Sequence, residues 1–468
     1  MNRSSFAALT RNAISLTGVI IALLSAGLIL VLSALSLAGW HGGSYAGIIT
    51  YLLLPAAFVL GLLLVPVGLW LQRGRERRAA ERAEAAVPAL PVFDLNSPAT
   101  RASITAYVLA GLACLAILAG TGYKGVEVLE STQFCGQACH QTMQPEAVAH
   151  TRSPHANVGC VQCHVGPGAS WFVRSKINGL GELIELASNS YPRPIPTPIS
   201  NLRPAREVCE QCHWPTKLIG DRLVVHTHYA DDEKNSQTKT VLSLHVGGQA
   251  GQSASGIHWH VGHGTAIRFL SDPSRETIYT VELTTPDGAH KTFKTSAAPP
   301  AGAQWRTMDC VDCHNRPAHT FHEPGEELDA ALDDGRIDTS LPFIKREGLR
   351  VLKIQYPSQE QARTGIQREI EQFYRTQYPA VASERASAVT QAGKALGDIW
   401  CWNVFPPMRV TWETYPNHIG HQSSPGCWRC HDNKHASESG EKIKKQCELC
   451  HNVLADDDPA PQILKDLQ

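Results

Sequence analysis

The chain has 468 residues and a formal net charge of −1, with 18% charged and 43% hydrophobic residues. This composition is too apolar for a disordered chain, and the lack of a basic excess argues against a nucleic-acid partner. Residues 1–122 hold 8 arginines, no lysine and 4 acidic residues, whereas 13 of the 14 cysteines and 20 of the 21 histidines follow them. We therefore expect a membrane part, followed by a soluble part that binds metal or cofactor or is cross-linked by disulfides.

Three apolar segments in the first quarter are each long enough to cross a bilayer. Residues 13–39, 47–71 and 104–122 contain no charged side chain, and about 20 apolar residues span the hydrocarbon core as a helix. The first segment is too long for the apolar part of a cleaved signal peptide. Pro66, in the second segment, is expected near a helix end, where a membrane helix tolerates it.

The arginines predict the orientation of these segments. Two arginines precede the first segment, six lie between the second and the third, and the turn at residues 40–46 has none. Basic residues favour the cytoplasmic side, so we expect the N-terminus and the 73–101 loop inside and everything after residue 123 outside the cytoplasm. Aromatic residues that are typical of membrane interfaces lie at the segment ends: Trp40, Tyr45, Trp70 and Tyr123.

Five C-x-x-C-H motifs and one looser relative follow the membrane part. In chain order, the motifs are Cys135, Cys139 and His140 (motif 1); Cys160, Cys163 and His164 (motif 2); Cys209, Cys212 and His213 (motif 3); Cys310, Cys313 and His314 (motif 4); Cys427, Cys430 and His431 (motif 5); and Cys447, Cys450 and His451 (motif 6). C-x-x-C-H is the attachment pattern of c-type haem, in which the histidine binds the iron. Structural zinc does not explain a histidine after every second cysteine. Motif 1 has three residues between its cysteines, and beside five regular motifs it predicts a sixth covalent haem c.

Histidines outside the motifs outnumber the irons, which predicts that most irons have two histidine ligands. A complete coordination sphere favours electron transfer over catalysis at iron. His258, His260 and His263 are expected on a β-rich insert, with the first two on one side of a strand. They are predicted haem ligands, with a separate metal site or structural polar contacts as alternatives. His418 and His435 are predicted ligands of the two C-terminal haems.

The rest of the soluble part shows local signals of strands and helices. Residues 278–284 and 291–295 flank Pro286-Asp287-Gly288, which predicts a hairpin. Ser358 is expected to cap a helix that ends near residue 378. The helices in 326–400 either cover haem edges or form a plain spacer. Cys401 is expected to be a buried structural thiol, with an axial thiolate or a single thioether attachment as alternatives.

Residues 131–215 and 309–319 carry a family resemblance. Its features are Met143-Gln-Pro-Glu146, Ser153-Pro-His155, the Val-Gly-Pro-Gly168 sequence after motif 2, Ser175-Lys-Ile-Asn-Gly179, Asn201-Leu-Arg-Pro-Ala205 and Trp214-Pro215. They resemble the NapC/NirT family of membrane-anchored multihaem c-type cytochromes, which are quinol dehydrogenases. Family members usually have one membrane span and four haems, so this chain departs from them with its three spans, a long insert at 216–306 and two further C-terminal motifs.

The resemblance implies roles for several residues. The haem at motif 1 would lie nearest the membrane, with Met143 as an unusual iron ligand, and His155 and His319 would be distal ligands of other haems. Lys176 would lie in the quinol pocket, and Glu182 would be a candidate proton acceptor. These two are six residues apart, so a loop or a helix start must bring them together; otherwise they are plain surface charges.

The predicted fold is a three-span α-helical anchor followed by a multihaem cytochrome c domain of short helices and loops with a small β insert. The expected segments are 1–122 (anchor), 123–215 (motifs 1 to 3), 216–306 (β insert), 307–400 (motif 4 and helices) and 401–468 (motifs 5 and 6). We expect six haems to replace an ordinary apolar core outside the membrane.

The predicted function is transfer of electrons from membrane quinol (menaquinol or ubiquinol) through six haems, with their irons, to a periplasmic redox partner protein or respiratory complex. The predicted location is the inner membrane, with the haems on the periplasmic side. Two alternatives remain open: a terminal reductase of a nitrogen or sulfur oxyanion, and a haem subunit or sensor in a larger respiratory complex.

Overall fold

The structure is a computed structural model of the chain, and it describes residues 12–38, 46–82, 95–138, 140–199, 202–214, 217–247, 256–262 and 264–467. The chain divides into two compact units, Met1–Ala138 and Cys139–Gln468, which we describe separately. The predicted site residues Cys139 and His263 lie outside the described residues, as do the side chain of His140 and the interfacial Trp40 and Tyr45.

Three long helices form the first unit: α1 (Ala13–Leu37), α2 (Leu54–Arg82) and α3 (Pro98–Leu129). A helical turn, Ala46–Ile48, and a π-helical turn, Ile49–Leu53, precede α2, and another π-helical turn, Phe134–Ala138, follows α3. Each long helix is long and apolar enough to cross a membrane. The predicted three-span anchor is thereby confirmed, and the third helix continues seven residues beyond the expected end at Gly122.

Small residues allow α1 and α2 to pack closely. A Cβ atom on Gly18 would lie 2.7 Å from the carbonyl oxygen of Gly61, and one on Gly61 would lie 2.7 Å from the backbone nitrogen of Ala22. Larger side chains at these two glycines would force the helices apart. Close backbone approach of this kind is the usual basis of helix association in membranes, where van der Waals packing replaces the hydrophobic effect.

The sequence predicted Pro66 near a helix end, but the residue lies well inside α2. The helix continues through the arginine-rich segment to Arg82, so the apolar segment and its charged continuation form one element. Beside the proline, the Ser15 hydroxyl of α1 donates a hydrogen bond of 3.0 Å to the Val65 carbonyl. A polar side chain of the neighbouring helix thus contacts the backbone of α2 one residue before the proline.

The second unit contains two antiparallel sheets. Their strands are β1 (Gly220–Tyr229), β2 (Gln237–Gly247), β3 (Ala266–Ser271), β4 (Ile278–Thr284), β5 (His290–Lys294), β6 (Gln304–Thr307) and β7 (His451–Asp458), in the orders β1-β2-β7 and β5-β4-β3-β6. The predicted hairpin is confirmed as β4 and β5, with Thr284 opposite His290. Strand β7 begins at the histidine of motif 6 and pairs His451 with Leu244, so the C-terminal segment completes a sheet of the β insert.

The helices of the second unit before residue 314 are α4 (His140–Thr151), α5 (Cys160–His164), α6 (Ala169–Ala187), α7 (Ala205–Cys209) and α8 (Cys310–Cys313). A nearly continuous run of helices follows: α9 (Pro324–Asp333), α10 (Ile344–Leu352), α11 (Gln359–Gln377), α12 (Pro379–Glu384) and α13 (Ala386–Asn403), with α14 (Gln462–Asp466) at the end. The Ser358 side chain accepts a hydrogen bond from the Gln361 backbone N–H at the start of α11, which confirms the predicted cap.

Residues 324–404, which we call the helical lobe, pack around an apolar core of their own. Leu328, Ile344, Ile366 and Leu396 are fully buried, and Trp400 packs edge-on against Tyr356 with ring centroids 5.6 Å apart. The expectation that haems replace any ordinary core outside the membrane is therefore wrong for this lobe. Its helices bury apolar faces against each other, which is the usual source of helix stability in proteins.

Cys401 lies in the core of the helical lobe. Its side chain is buried, and the thiol donates a 3.6 Å hydrogen bond to the Gln359 carbonyl. Burial raises the pKa of the Cys401 thiol to about 11, so the group stays protonated at neutral pH. This environment is that of a structural thiol, the first of the three roles that the sequence allowed.

Candidate haem sites

Motifs 2 to 6 each begin on a helix or helical turn. Motif 2 is α5, motif 4 begins with α8, motif 3 begins at the last residue of α7, and motifs 5 and 6 begin on the 3₁₀ turns Gly426–Arg429 and Cys447–Leu449. In motifs 3, 4 and 5 the backbone N–H of the histidine donates to the carbonyl of the first cysteine over 2.8, 2.8 and 3.1 Å. One local turn thus holds the two thiols and the histidine of a motif together. The geometry of motif 1 is not described, because Cys139 lies outside the described residues.

The histidines of motifs 2 to 6 each face a second histidine. The ring pairs and their centroid distances are His164 and His319 (6.2 Å), His213 and His155 (5.9 Å), His314 and His258 (6.3 Å), His431 and His260 (5.9 Å), and His451 and His421 (6.2 Å). Two imidazoles on one metal place their centroids about 6 Å apart, since each metal–nitrogen bond is about 2 Å and each centroid lies about 1 Å further out. These residues therefore fit a haem iron between each pair.

Four of these partner histidines are held in place by a hydrogen bond at Nδ1, which leaves Nε2 for the iron. The Nδ1–H groups of His155, His258, His260 and His319 donate to the backbone carbonyls of Pro317 (3.1 Å), Val246 (2.8 Å), Ile257 (2.6 Å) and Glu146 (3.0 Å). A carbonyl accepts only, so Nδ1 carries the proton and Nε2 keeps its lone pair. Metal-binding histidines are commonly held in this way.

Burial also favours the neutral form of these rings. Burial is the main cause that lowers the pKa of His260 and of His319 below that of an exposed histidine. It lowers the pKa of the motif histidines His164 and His314 in the same direction. A histidine must be neutral to bind a metal, so the environment prepares these rings for iron.

The predicted C-terminal ligands His418 and His435 do not face a motif histidine among the described residues. The ring of His435 is bound at both nitrogens, by the Asp432 carboxylate at 3.0 Å and the Ile278 carbonyl at 3.1 Å. His418 Nε2 lies 2.9 Å from the Glu276 carboxylate. The ring that lies opposite His451 is that of His421, so ligand roles for His418 and His435 stay predictions. Sequence reasoning missed His421 because spacing does not distinguish it from His418, three residues earlier.

His258 and His260 lie on the 3₁₀ turn Ile257–Val261, not on a strand. In a 3₁₀ turn, residues two apart are separated by about 240° around the axis, so their side chains diverge. His258 accordingly faces His314, and His260 faces His431. The prediction that the two histidines lie on one side of a strand is therefore wrong. Because their side chains diverge, one short turn places a histidine opposite motif 4 and another opposite motif 5.

The motif cysteines lie next to one another in chain order. Burial is the main cause that raises the pKa of Cys163, and the nearby Cys209 raises it further. Motifs 2 and 3 are therefore neighbours. A thiol hydrogen bond between Cys209 and Cys310 raises the pKa of Cys310 and links motifs 3 and 4. Burial raises the pKa of Cys313 to about 11, and the nearby Cys427 contributes to this rise. Burial and Cys427 raise the pKa of Cys450 in the same direction. Motifs 2, 3, 4, 5 and 6 thus form a consecutive series.

Arg316 anchors the segment that carries His319. Its guanidinium is buried, donates to both Glu146 oxygens at 2.9 and 3.0 Å, and lies 4.0 Å from the Tyr415 ring centroid. Because His319 donates to the Glu146 backbone carbonyl, the same glutamate fixes both residues. The sequence contained Arg316 beside motif 4 but gave no sign of this partner.

Three arginines surround one buried carboxylate between motifs 4 and 5. Asp312, inside motif 4, accepts from Arg306 Nε at 2.7 Å, and Arg275 lies 3.6 Å from the same oxygen. Arg429, inside motif 5, donates to the Asp312 backbone carbonyl over 2.5 Å and to the Arg275 carbonyl over 2.8 Å. These contacts join the two motifs and make their junction electropositive.

Lys176 and Glu182 both lie within α6. On a helix, residues six apart are about 120° apart around the axis and about 9 Å apart along it, so the structure does not bring the two side chains together. The Lys176 ammonium lies 4.9 Å from the Phe172 ring centroid, whereas Glu182 is exposed. Large apolar side chains are exposed along one side of the same helix: Val173, Ile177, Leu180 and Ile184. Met143 lies on α4, three residues after His140.

The described residues contain no group of three His, Cys, Asp or Glu side chains suited to a bare metal ion. The paired histidines, the motif thiols and the three apolar helices instead define a membrane-anchored multihaem c-type cytochrome. Residues 97–194 match the N-terminal region of the NapC/NirT cytochrome c family. The cytochrome c-type protein ImcH of Geobacter sulfurreducens is 41% identical over 450 residues, which are 95% of this chain and 88% of that protein.

The chain belongs to the NapC/NirT family of multihaem c-type cytochromes. Membership implies covalently bound haem c and electron transfer. No solved structure matches the chain.

Proposed function

We propose that this cytochrome oxidises membrane quinol and delivers the electrons, one at a time, to an acceptor outside the cytoplasm, using six covalent haems c. The observation that carries the proposal is the set of five histidine pairs, each about 6 Å between ring centroids. When bound, each haem supplies a one-electron couple whose potential the surrounding protein sets. A pair of histidines leaves no coordination position for a substrate, which favours a conduit over a terminal reductase.

The paired histidines, the motif cysteines and Met143 have separate tasks in this proposal. The cysteines of motifs 1 to 6 hold the cofactors covalently, and the histidines of motifs 2 to 6 supply one axial ligand each. His155, His258, His260, His319 and His421 supply the second ligand at motifs 2 to 6. Met143 is proposed as the unusual ligand at motif 1. It follows His140 by about one helical turn in α4, on the same side of the helix, so it would replace His140 at the iron and would not complete a pair with it.

The membrane anchor supports quinol as the electron donor. The end of α3 at Leu129 lies only six residues before Cys135, so motif 1 follows the anchor almost directly. The family match at 97–194 includes both α3 and the helix that carries Lys176. The arginine distribution favours the inner membrane with the motifs on the periplasmic side.

Lys176 is the proposed quinol-orienting group, because an ammonium donates hydrogen bonds to a quinol oxygen as it is oxidised. We expect Lys176→Leu to slow haem reduction by a soluble quinol analogue about 10²-fold, through loss of transition-state stabilisation. The matched control is Lys394→Leu, on an exposed position of α13, which should keep the native rate. Stopped-flow absorbance in the Soret band measures both.

Reduction by dithionite should be equal in both variants, since it bypasses the quinol site. A native quinol rate in Lys176→Leu would remove the lysine from the proposal. Failure of quinol to reduce the wild-type protein would reject quinol oxidation itself.

Glu182 is a separate proposal, because it lies on another side of α6 from Lys176. If it accepts the quinol proton, Glu182→Gln slows quinol oxidation, whereas Glu185→Gln, three residues further on the same helix, leaves the rate unchanged. Equal rates in the two variants would exclude Glu182.

The number of haems can be counted directly. The intact mass of the purified protein should exceed that of the polypeptide by six haems. A mass with five haems, and alkylation of Cys135 and Cys139, would exclude attachment at motif 1.

A further inference from the structure

Six of the 15 lysines of the chain lie in two short segments near motifs 5 and 6. We call them the lysine surface: Lys291, Lys294, Lys434, Lys442, Lys444 and Lys445, all exposed. Asp432, Glu438, Glu441 and Glu448 lie in the same segments, which leaves a net charge of +2. The remainder of residues 123–468 carries −7, so this surface has the opposite sign to the unit around it.

Backbone pairing joins the two lysine segments. Lys294 exchanges hydrogen bonds of 2.9 and 3.0 Å with Ala436, and Ala436 also bridges to Lys442. The Lys291 ammonium lies 2.9 Å from the Glu441 carboxylate. Edge pairing therefore presents lysines from β5 and from residues 434–445 side by side, although more than 130 residues separate them along the chain.

The lysine surface directly adjoins the histidines of motifs 5 and 6. The Lys444 carbonyl accepts the Nδ1–H hydrogen bond of His431 over 2.9 Å. The Lys445 ammonium lies 3.4 Å from the Trp428 ring centroid, and Trp428 stacks on His421 with centroids 4.1 Å apart. His421 in turn faces His451. The charge of Lys445 therefore lies next to the last histidine pair of the series.

Apolar side chains are exposed beside these lysines. Trp428 and Leu449, which lie inside motifs 5 and 6, are 37% and 47% exposed. An apolar centre with a charged rim is the usual composition of a transient protein interface. Charge at the rim of such an interface mainly accelerates encounter with an oppositely charged partner.

We propose that the lysine surface docks an acidic one-electron carrier protein, which takes electrons at motif 6. This inference rests on the proposed function, because it assigns motif 6 as the exit of the series. His421 and His451 would hold the iron of that haem, which would supply one electron in each encounter: the iron would pass from ferrous to ferric, and the centre of the carrier would be reduced by one electron. No bond forms and no proton moves.

The test uses two probes with one redox centre and opposite surface charge: native mitochondrial cytochrome c, which is basic, and the same protein with its lysines succinylated. The full-length cytochrome in detergent is reduced with dithionite, freed of excess reductant and mixed with each probe in a stopped-flow instrument. We expect the succinylated probe to react about tenfold faster at low ionic strength, and the difference to disappear in high salt.

The variant Lys434→Glu, Lys442→Glu, Lys444→Glu, Lys445→Glu should reverse the preference. Its matched control carries four glutamates at other exposed lysines, Lys234, Lys353, Lys394 and Lys465, and should keep it. Equal wild-type rates with both probes, or reversal in the control variant as well, would overturn the proposal. The wild-type comparison decides the matter even if the quadruple variant fails to fold.

Other occupants of the surface give different results. If a second copy of the chain covers it, the quadruple variant changes the oligomeric state measured by light scattering and not the probe preference. If anionic lipid covers it, the variant loses affinity for phosphatidylglycerol vesicles with the preference unchanged. Either result would overturn the proposal. Because the electrons come from dithionite, failure of quinol oxidation would leave a positive result intact.

Discussion

The helical lobe and the motif segments that flank it are stabilised in different ways. In the lobe, apolar side chains such as Leu328, Ile366 and Leu396 are fully buried against one another. Around the motifs the long-range contacts are polar and specific, as in Arg316 with Glu146 and Arg306 with Asp312. The lobe is thus held together mainly by one large apolar core, whereas the motif segments combine smaller apolar clusters with buried charges and paired histidines.

This difference explains how the helical lobe can lie between motifs 4 and 5 in the chain while the two motifs remain in contact. After motif 4 the chain forms the lobe, and it then returns to motif 5, whose Arg429 donates to the Asp312 carbonyl of motif 4. Since the lobe has its own core, we expect it to fold without iron. The two regions should therefore respond to different mutations.

The largest effect is expected in the lobe. Trp400→Ala removes its largest buried side chain and should lower the free energy of unfolding by about 3–5 kcal/mol. Urea unfolding followed by circular dichroism at 222 nm measures this loss, and the Soret spectrum of the folded variant should be native. The control Trp305→Ala, at a partly exposed tryptophan of β6, should cost far less. A changed Soret spectrum in Trp400→Ala would contradict the independence of the two regions.

Asp312→Ala tests the polar junction between motifs 4 and 5. The change leaves Arg306 and Arg275 without their carboxylate, and breaking a buried ion pair costs about 3 kcal/mol or more. We expect the Soret transition, which reports on the motifs, to shift to lower urea. Asp309→Ala, which removes the neighbouring helix cap, is the matched control and should cost less. A larger loss in that control would show that the cap, and not the arginine cluster, holds the junction.

His421→Gly tests the histidine pair at motif 6. Electron paramagnetic resonance of the oxidised protein should show one additional high-spin iron, because one axial ligand is lost. His418→Gly, three residues away, should keep that iron low-spin. High-spin iron in the His418 variant and not in the His421 variant would restore the assignment made from sequence.

Ser358→Ala is expected to have the smallest effect. Removing the helix cap of α11, where the Ser358 hydroxyl accepts from the Gln361 N–H at 3.2 Å, should destabilise the lobe by about 1 kcal/mol. Thr364→Ala, at an exposed position of the same helix, is the control. Any change in the iron spin state of the capping variant would mean that the lobe and the motifs unfold together.

Local interactions were readable from the sequence. The three membrane helices, the β4–β5 hairpin and the Ser358 cap each depend on residues within one segment, so composition and spacing were enough to predict them. The turns of motifs 2 to 6 are equally local, because in each the first cysteine and the histidine are only four residues apart. The five-segment division of the chain remains a prediction, and β7 shows that segments 216–306 and 401–468 share a sheet.

Only the tertiary structure decided which distant residues meet. His319 faces His164, and His258 faces His314, although no periodicity connects either pair. The choice of His421 over His418, the core of the helical lobe and the joining of Lys294 to Ala436 arise in the same way. A sequence pattern records what neighbours along the chain do within one turn or strand. Long-range partners are selected by the packing of the whole chain, in which many residues choose their neighbours together.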